Sequence, residues 1–383
     1  MIPLSGSRAA RNVMRVATDV LQKLPLPGDG PLTVVVKALA IYDSVASVYG
    51  ASTPLYSMVA AAGGVEAHDC RQFVDLFVSV SDQCGFTTRR IRAGEHADIL
   101  VAERSGMALY IAEWTWGASP ERPGGFWVSR GTRLDSVMDL VWEAFGGSIH
   151  ADFVDHADGV RARFSEVAWS DFASTSESLS AYQAFLAKHR RYVADGVPRT
   201  YLMHGPPGTG KTSWAWRLAR DTGLRALRIG AAGLAKLVAG DMEELISTLS
   251  PRLLIIDDFS SEALGPATPR LLTTLAELRV RRPSLVTVIT TNTLDLPPAL
   301  LRPGRIDELI EFSAPSLSER VELLSRSGCS ATLSVASASD GLTYPYLAEL
   351  ALQLRYSDPI SVSNLALRML KYSRPEKSTG SAK

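Results

Sequence analysis

The sequence predicts an α/β protein: a parallel five-stranded sheet followed by a small helical region and preceded by a helical segment and a β-rich block. Three observations carry this. A glycine-rich loop, Gly205-Pro206-Pro207-Gly208-Thr209-Gly210-Lys211-Thr212, lies between a strand-forming run at 199–204 and a helical stretch. Apolar strand-forming runs recur after it at 224–229, 253–257, 285–291 and 306–312, with helical stretches between them. That alternation brings parallel strands into one sheet with helices on both faces. From Ser316 onward the chain reads helical, with the segment 325–339 rich in small residues.

The 383 residues exceed one small domain. The expected division is a helical N-terminal region (1–85), a β-rich domain (86–170), the α/β core (171–315), a helical region (316–372) and a basic, disordered tail (373–383). Within residues 8–24, Val13, Val16, Val20 and Leu24 recur at helical spacing among Arg8, Arg11, Arg15 and Lys23, which reads as a surface helix. A Pro/Gly linker follows at 25–31, and the stretch 44–65 holds no charged residue. That stretch is long enough to cross a bilayer. Its alanine content and its Ser, Thr, Gly and Pro residues favour packed soluble helices instead. A cytoplasmic location is therefore expected, with membrane attachment through residues 8–65 as the alternative.

Residues 86–91, 99–102, 108–116 and 126–129 alternate or run apolar and read as strands. One helix interrupts them, with Thr132 as its cap and Leu134, Val137, Met138, Val141, Trp142 and Phe145 as its apolar stripe. Trp114, Trp116, Trp127, Trp142 and Trp169 all precede the glycine-rich loop and supply this block with a core. A linking helix follows, with Leu179, Tyr182, Phe185, Leu186, His189 and Val193 on one face.

Hydrophobic residues make up 46% of the chain and charged residues 21%, and the formal net charge is zero. Nothing global points to a polyanionic partner. Cys70, Cys84 and Cys329 are scattered without a CxxC pair, which argues against a zinc site or a disulfide framework.

The glycine-rich loop has the composition and setting of a phosphate cradle, in which glycines let backbone amides face the phosphates at a helix N-terminus. Gly205, Pro206, Pro207, Gly208, Thr209, Gly210, Lys211, Thr212 and Ser213 are the expected ATP-binding residues. Lys211 would reach the outer phosphates, and Thr212 would ligate Mg²⁺. Leu253-Leu254-Ile255-Ile256-Asp257-Asp258 delivers two carboxylates at the C-terminal end of a buried strand, where open α/β sheets bind ligands. Asp257 is expected to hold Mg²⁺ and Asp258 to polarise the attacking water, with support of the metal as the second reading for Asp258. Thr290-Thr291-Asn292 ends the next strand, which places the Asn292 amide near the γ-phosphate.

With these signals, Ala299-Leu300-Leu301-Arg302-Pro303-Gly304-Arg305-Ile306-Asp307 resembles the second region of homology of the AAA family of ATPases. The resemblance covers about residues 177–372. It implies a P-loop NTPase cassette with a helical lid, ATP hydrolysis, and Arg302 and Arg305 at the arginine-finger positions, acting on ATP in the neighbouring subunit. One of the two arginines is expected to be structural. An arginine supplied in trans implies a homo-oligomeric ring of six or seven subunits. The family usually carries glutamate where this chain has Asp258, which is one methylene shorter.

Gly196-Val197-Pro198-Arg199-Thr200-Tyr201-Leu202-Met203-His204, with Lys211-Thr212-Ser213 closing the loop, looks like the mitochondrial respiratory-complex (Rieske protein) assembly translocases and their bacterial and phage relatives. From Gly223 to Arg252 there is no Phe, Trp or Tyr, and Leu237 and Val238 are the nearest substitutes for an aromatic pore-loop grip. The implied partner is a protein substrate, remodelled or translocated without aromatic threading. A DNA-associated loader is the second reading. No winged-helix pattern supports it, and no basic cluster lies outside the tail at Arg368, Lys371, Arg374 and Lys377. A nucleotide-switched scaffold, suggested by Asp258, is the third.

Overall fold

The computed structural model describes residues 66–373 except 70, 93–96, 115–124, 130–131, 157–158, 167–174, 241, 261–267, 295, 303, 330–331 and 357–361. The expected helix at 8–24, the linker at 25–31, the uncharged stretch at 44–65, Trp116, Trp169 and the tail from 374 lie outside the described residues. No helix among the described residues is long and apolar enough to cross a membrane.

The described residues form two compact units. The first comprises those up to Glu166 together with Gly240–Ser250. Its sheet runs β1 (Glu66–Asp69), β5 (Gly125–Val128), β4 (Met107–Trp114), β3 (Ala97–Arg104), β2 (Thr87–Arg92), with each neighbouring pair antiparallel. β3 and β4 join through Ser105 and Gly106, both at positive φ (39° and 85°), the twist a two-residue hairpin requires. Ile99, Leu100, Val101 and Ala102 are all buried, so β3 is a central strand. β2 is an edge strand, and its exposed arginines protect it from pairing with another chain.

Helix α1 (Arg71–Val80) buries Phe73, Leu76, Phe77 and Val80, a helical i, i+3, i+4, i+7 stripe. Phe77 meets Phe86 edge-on at 5.1 Å. Helix α2 (Leu134–Ala144) buries Val137, Met138, Val141 and Trp142, as the stripe predicts, while Leu134 is only half-buried. Its N-cap is Arg133 rather than Thr132, with no side-chain capping bond. The Thr132 hydroxyl instead accepts the Ala108 N–H at 2.9 Å and pairs with Ser129 at 2.8 Å, tying the helix start to the sheet. Two further strands that the sequence pattern does not announce, β6 (Ser148–His156) and β7 (Gly159–Glu166), form an antiparallel hairpin. The Trp142 indole donates to the Leu249 carbonyl at 2.9 Å, on the helix Glu243–Leu249 of the same unit.

The second unit comprises the described residues within 175–239 and 251–373. Its parallel strands stand in the order β12 (Glu308–Glu311), β8 (Thr200–His204), β11 (Val286–Thr291), β10 (Leu253–Phe259), β9 (Ala226–Ile229). All of β11, and all of β10 except Asp258, is buried, as expected of a parallel sheet covered on both faces. Helix α3 (Ser176–Ala194) starts with a capping box at Thr175 and Ser178 and buries Tyr182, Phe185, Leu186 and His189. Leu179 and Val193, expected on the same face, are exposed. Tyr182 meets Trp214 at 5.2 Å, and Trp214 meets Phe312 at 4.9 Å, so α3 is bound by aromatic contacts to the sheet and to α4 (Lys211–Thr222).

Helix α5 (Ala231–Ala239) follows β9, the helix Glu243–Leu249 of the first unit is α6, and α7 (Thr268–Arg281) precedes β11. Leu237 and Val238 are buried, so the proposed substitutes for an aromatic grip pack inside the fold. Helices α8 (Leu317–Arg326), α9 (Thr332–Ala338), α10 (Tyr344–Tyr356) and α11 (Val362–Ser373) form the lid. It has its own core of Leu324, Val335, Leu342, Leu347, Leu350, Leu365 and Met369.

Candidate functional site

The glycine-rich loop leaves β8 at Gly205, whose φ of 144° suits glycine. A Cβ there would stand 1.9 Å from the Phe312 carbonyl oxygen, so the close approach of two backbones excludes any side chain. Gly208 and Gly210 also take positive φ, 77° and 96°, and Gly210 opens α4 in the left-handed conformation. Thr209 donates to the Pro206 carbonyl at 2.8 Å, closing the loop on itself. Pro206 and Pro207 are exposed at its tip, and Ser213 is half-buried in the first turn of α4.

Lys211 is 5% exposed. Its ammonium donates to the carbonyls of Gly205 (2.7 Å) and Pro206 (2.9 Å) and to Asn292 Oδ1 (2.9 Å). Asn292, immediately after β11, thus meets the loop through Lys211. Burial lowers the Lys211 pKa, opposed by the charges of Asp258 and Asp257.

Asp257 is buried and takes four hydrogen bonds. Its Oδ1 accepts from the hydroxyls of Thr212 (2.7 Å) and Thr290 (2.6 Å). Its Oδ2 accepts Arg228 Nε at 2.9 Å and Nη2 at 2.5 Å. Burial pushes the carboxyl pKa up, but the two hydroxyls and the Arg228 charge outweigh it, and the pKa is lowered. Asp258 is exposed and sits at φ 53°, a left-handed conformation that aspartate tolerates better than most side chains. Its N–H donates to the Thr290 hydroxyl at 2.9 Å. Thr290 therefore holds the Asp257 carboxylate and the Asp258 backbone from the neighbouring strand.

Thr212 and Asp257 offer hard oxygen donors 2.7 Å apart, which suits Mg²⁺. No cluster of three or more His, Cys, Asp or Glu side chains suited to a metal exists among the described residues, so a cation here would depend on phosphate oxygens and water for its other ligands.

The lid meets the loop directly. The Tyr344 N–H donates to the Gly208 carbonyl at 3.3 Å, and a Cβ on Gly208 would lie 2.9 Å from Pro345. Glu319, 9% exposed, accepts the hydroxyls of Thr175 (2.5 Å) and Tyr344 (3.1 Å), joining the start of α3 to two lid helices. A cavity of about 290 Å³ opens here, lined among others by Thr209, Trp214, Phe312, Glu319 and Tyr344.

Arg302 and Arg305 follow on a loop before β12. Arg305 donates to the Ala299 carbonyl at 2.7 Å, folding back on its own loop. Arg302 is exposed, and its guanidinium has no partner among the described residues. Asp307 anchors the loop, accepting the N–H groups of Gly304 (3.2 Å) and Thr200 (2.9 Å) and the guanidinium of Arg279 (2.6 Å). The structure therefore brings Lys211, Thr212, Asp257 and Asn292 together by direct hydrogen bonds, with Asp258 close enough for its charge to act on Lys211. Neither arginine bonds to any of them among the described residues.

Comparison with known proteins agrees with this geometry. Residues 201–314 match the model of the ATPase family associated with various cellular activities (AAA). The part of the chain similar to this family is therefore the segment 201–314. The match begins in β8 and ends just beyond β12, so it contains the phosphate loop, both aspartates, Asn292 and the two arginines. The chain is 30% identical over 230 residues to the ATP-dependent zinc metalloprotease FtsH 3 of Sphaerobacter thermophilus, covering 54% of this chain and 47% of that protein. It is 33% identical over 147 residues to the 26S proteasome regulatory subunit 8 homolog of Saccharomyces cerevisiae, covering 33% of this chain and 36% of that one. It is 35% identical over 147 residues to the proteasome-activating nucleotidase of Aeropyrum pernix, with the same coverages. The chain thus spans less than half the length of these relatives.

Arg228, Thr290 as the clamp on both aspartates, and the Glu319–Tyr344–Thr175 node were not identified as site residues from the sequence. An arginine inside the short buried strand Ala226–Ile229 is the signal that would have found the first.

Proposed function

We infer that this protein is an ATP-hydrolysing AAA protein that works as a homo-oligomeric ring and remodels or translocates a protein substrate. The bonding of Lys211 carries the reading: one buried ammonium ties the phosphate loop to Asn292, beside an aspartate already bonded to Thr212. ATP would lie along Gly205–Ser213 with its outer phosphates taking over the Lys211 ammonium. Thr212 and Asp257 would hold Mg²⁺, which supplies charge neutralisation for the phosphates when bound. Asp258 would orient the attacking water, and Asn292 would fix it from the adjoining strand.

Arg302 is the arginine we assign to the neighbouring subunit's ATP, because Arg305 is occupied by the Ala299 carbonyl. Similarity to a 26S proteasome regulatory subunit, a proteasome-activating nucleotidase and an FtsH metalloprotease supports action on protein substrates. The β-rich unit ahead of the AAA domain, and the lack of any Phe, Trp or Tyr from Gly223 to Arg252, support the assembly-translocase branch and movement of cargo without aromatic threading. A cytoplasmic location, with membrane attachment through residues 8–65 as the alternative, completes the proposal.

The test is Lys211→Ala, followed by nucleotide-binding calorimetry and phosphate release. Binding should fall below detection and turnover with it. Retention of wild-type binding in a folded Lys211→Ala protein would refute the assignment of the loop.

A further inference from the structure

Arg228 sits on β9 one strand away from Asp257, and both its Nε and Nη2 address the same carboxylate oxygen. The Asp257 side chain is 3% exposed and that of Arg228 is 28% exposed, so the pair is largely shielded from water. Burying a lone carboxylate is costly, and an opposite charge within hydrogen-bonding reach removes most of that cost. In many phosphate sites a divalent cation supplies that charge. Here it is built into the chain. Arg228 occupies Oδ2, while Oδ1 faces the hydroxyls of Thr212 and Thr290. Arg228 is bonded to Asp257, and the Lys211 ammonium lies close enough for both aspartate charges to act on it, so two cations match two anions before any metal arrives.

We propose that Arg228 is a resident counter-cation for Asp257, so that the site takes up nucleotide without a metal and magnesium adds little to binding affinity. This rests on the phosphate-loop reading above. Removing the guanidinium would leave a buried, uncompensated carboxylate bonded to Thr212 of the loop. That carboxylate would repel the phosphates of a metal-free nucleotide, and it would bind magnesium more strongly. Nucleotide binding should then become steeply magnesium-dependent. A lysine would restore the charge without the two-pronged geometry.

The experiment is calorimetric titration of ADP into the wild-type chain, Arg228→Met and Arg228→Lys, each in EDTA and in excess Mg²⁺. The wild type should bind in both buffers with dissociation constants within about threefold of each other. The ratio of the EDTA constant to the Mg²⁺ constant should rise on the order of tenfold in Arg228→Met, the scale of losing one close charge pair, and stay near wild type in Arg228→Lys. Wild-type binding that requires magnesium overturns the proposal whatever the variants do, so a misfolded Arg228→Met does not shield it. An unchanged ratio in a folded Arg228→Met also overturns it, as does a Lys variant that behaves like Met. Absence of ADP binding in both buffers would instead refute the nucleotide reading itself.

Discussion

Replacing Thr290 with valine tests the central feature of the site, because it keeps the shape and removes one atom's chemistry. The Thr290 hydroxyl donates to Asp257 Oδ1 at 2.6 Å and accepts the Asp258 N–H at 2.9 Å. Thr290 is fully buried, so no water can take the place of its hydroxyl at Asp257. A hydrogen bond to a charged group contributes about 1.5–3 kcal/mol. The Asp258 N–H belongs to an exposed residue and regains some solvent, so its loss adds about 1 kcal/mol or less. The extra methyl returns up to about 0.8 kcal/mol. Thr290→Val should therefore cost about 2–3 kcal/mol in urea unfolding, whereas Thr290→Ser, which keeps the hydroxyl, should cost about 1 kcal/mol. The pH dependence fixes the sign. The folded Asp257 pKa lies below its ordinary value of 3.8, so its contribution is present above that value and is lost as pH falls through the folded pKa. Without Thr290 the carboxyl returns toward 3.8, so the Val deficit should be flat at neutral pH and narrow below about pH 4. A valine variant as stable as the serine one, or a deficit that widens in acid, would refute the clamp.

The remaining predictions concern the arginines and the loop. Arg302→Ala should leave nucleotide affinity intact and slow hydrolysis on the order of a thousandfold. Arg305→Ala should instead cost about 1 kcal/mol of stability through its lost bond to the Ala299 carbonyl, with the smaller effect on rate. The opposite ranking in steady-state turnover would reverse the assignment. Gly205→Ala should abolish the native loop, because its Cβ would stand 1.9 Å from the Phe312 backbone oxygen at a φ of 144°. The expected cost is at least about 3 kcal/mol, read as loss of the cooperative urea transition or a large fall in its midpoint. Wild-type stability would contradict the close backbone approach.

Much of this was legible because the relevant signals are local. The loop's glycines, the apolar run ending in Asp257 and Asp258, and the strand ending before Asn292 each announce their own element. Sheet order brings the ends of β8, β10 and β11 together without needing any particular side-chain contact. What escaped depends on neighbours distant in sequence. Glu66–Asp69 has no β-branched residue and becomes a strand only by pairing with Gly125–Val128. Thr132 has the residue type of a helix cap, but a sheet N–H 24 residues away takes its hydroxyl. Arg228 is one polar residue in an otherwise apolar strand. Its role exists only because β9 lies beside β10.

The same long-range geometry separates the two arginines that the motif leaves equivalent. Within one copy, Arg228 is bonded to Asp257 and Lys211 lies within reach of the charges of both aspartates, so these four groups carry no net positive charge for a triphosphate. Charge developing on the transferring phosphoryl group must therefore be met from outside this set. Arg305 is held by the Ala299 carbonyl six residues back, and Arg279 is held by Asp307 beneath the same loop. Arg302 remains exposed on a loop that Asp307 fixes through the Gly304 N–H. A fixed loop that presents to solvent a cation with no partner among the described residues makes little contribution to its own subunit's stability. It has the form required of a group that completes a second copy's site, and that is why the proposed active unit is an assembly rather than a single chain.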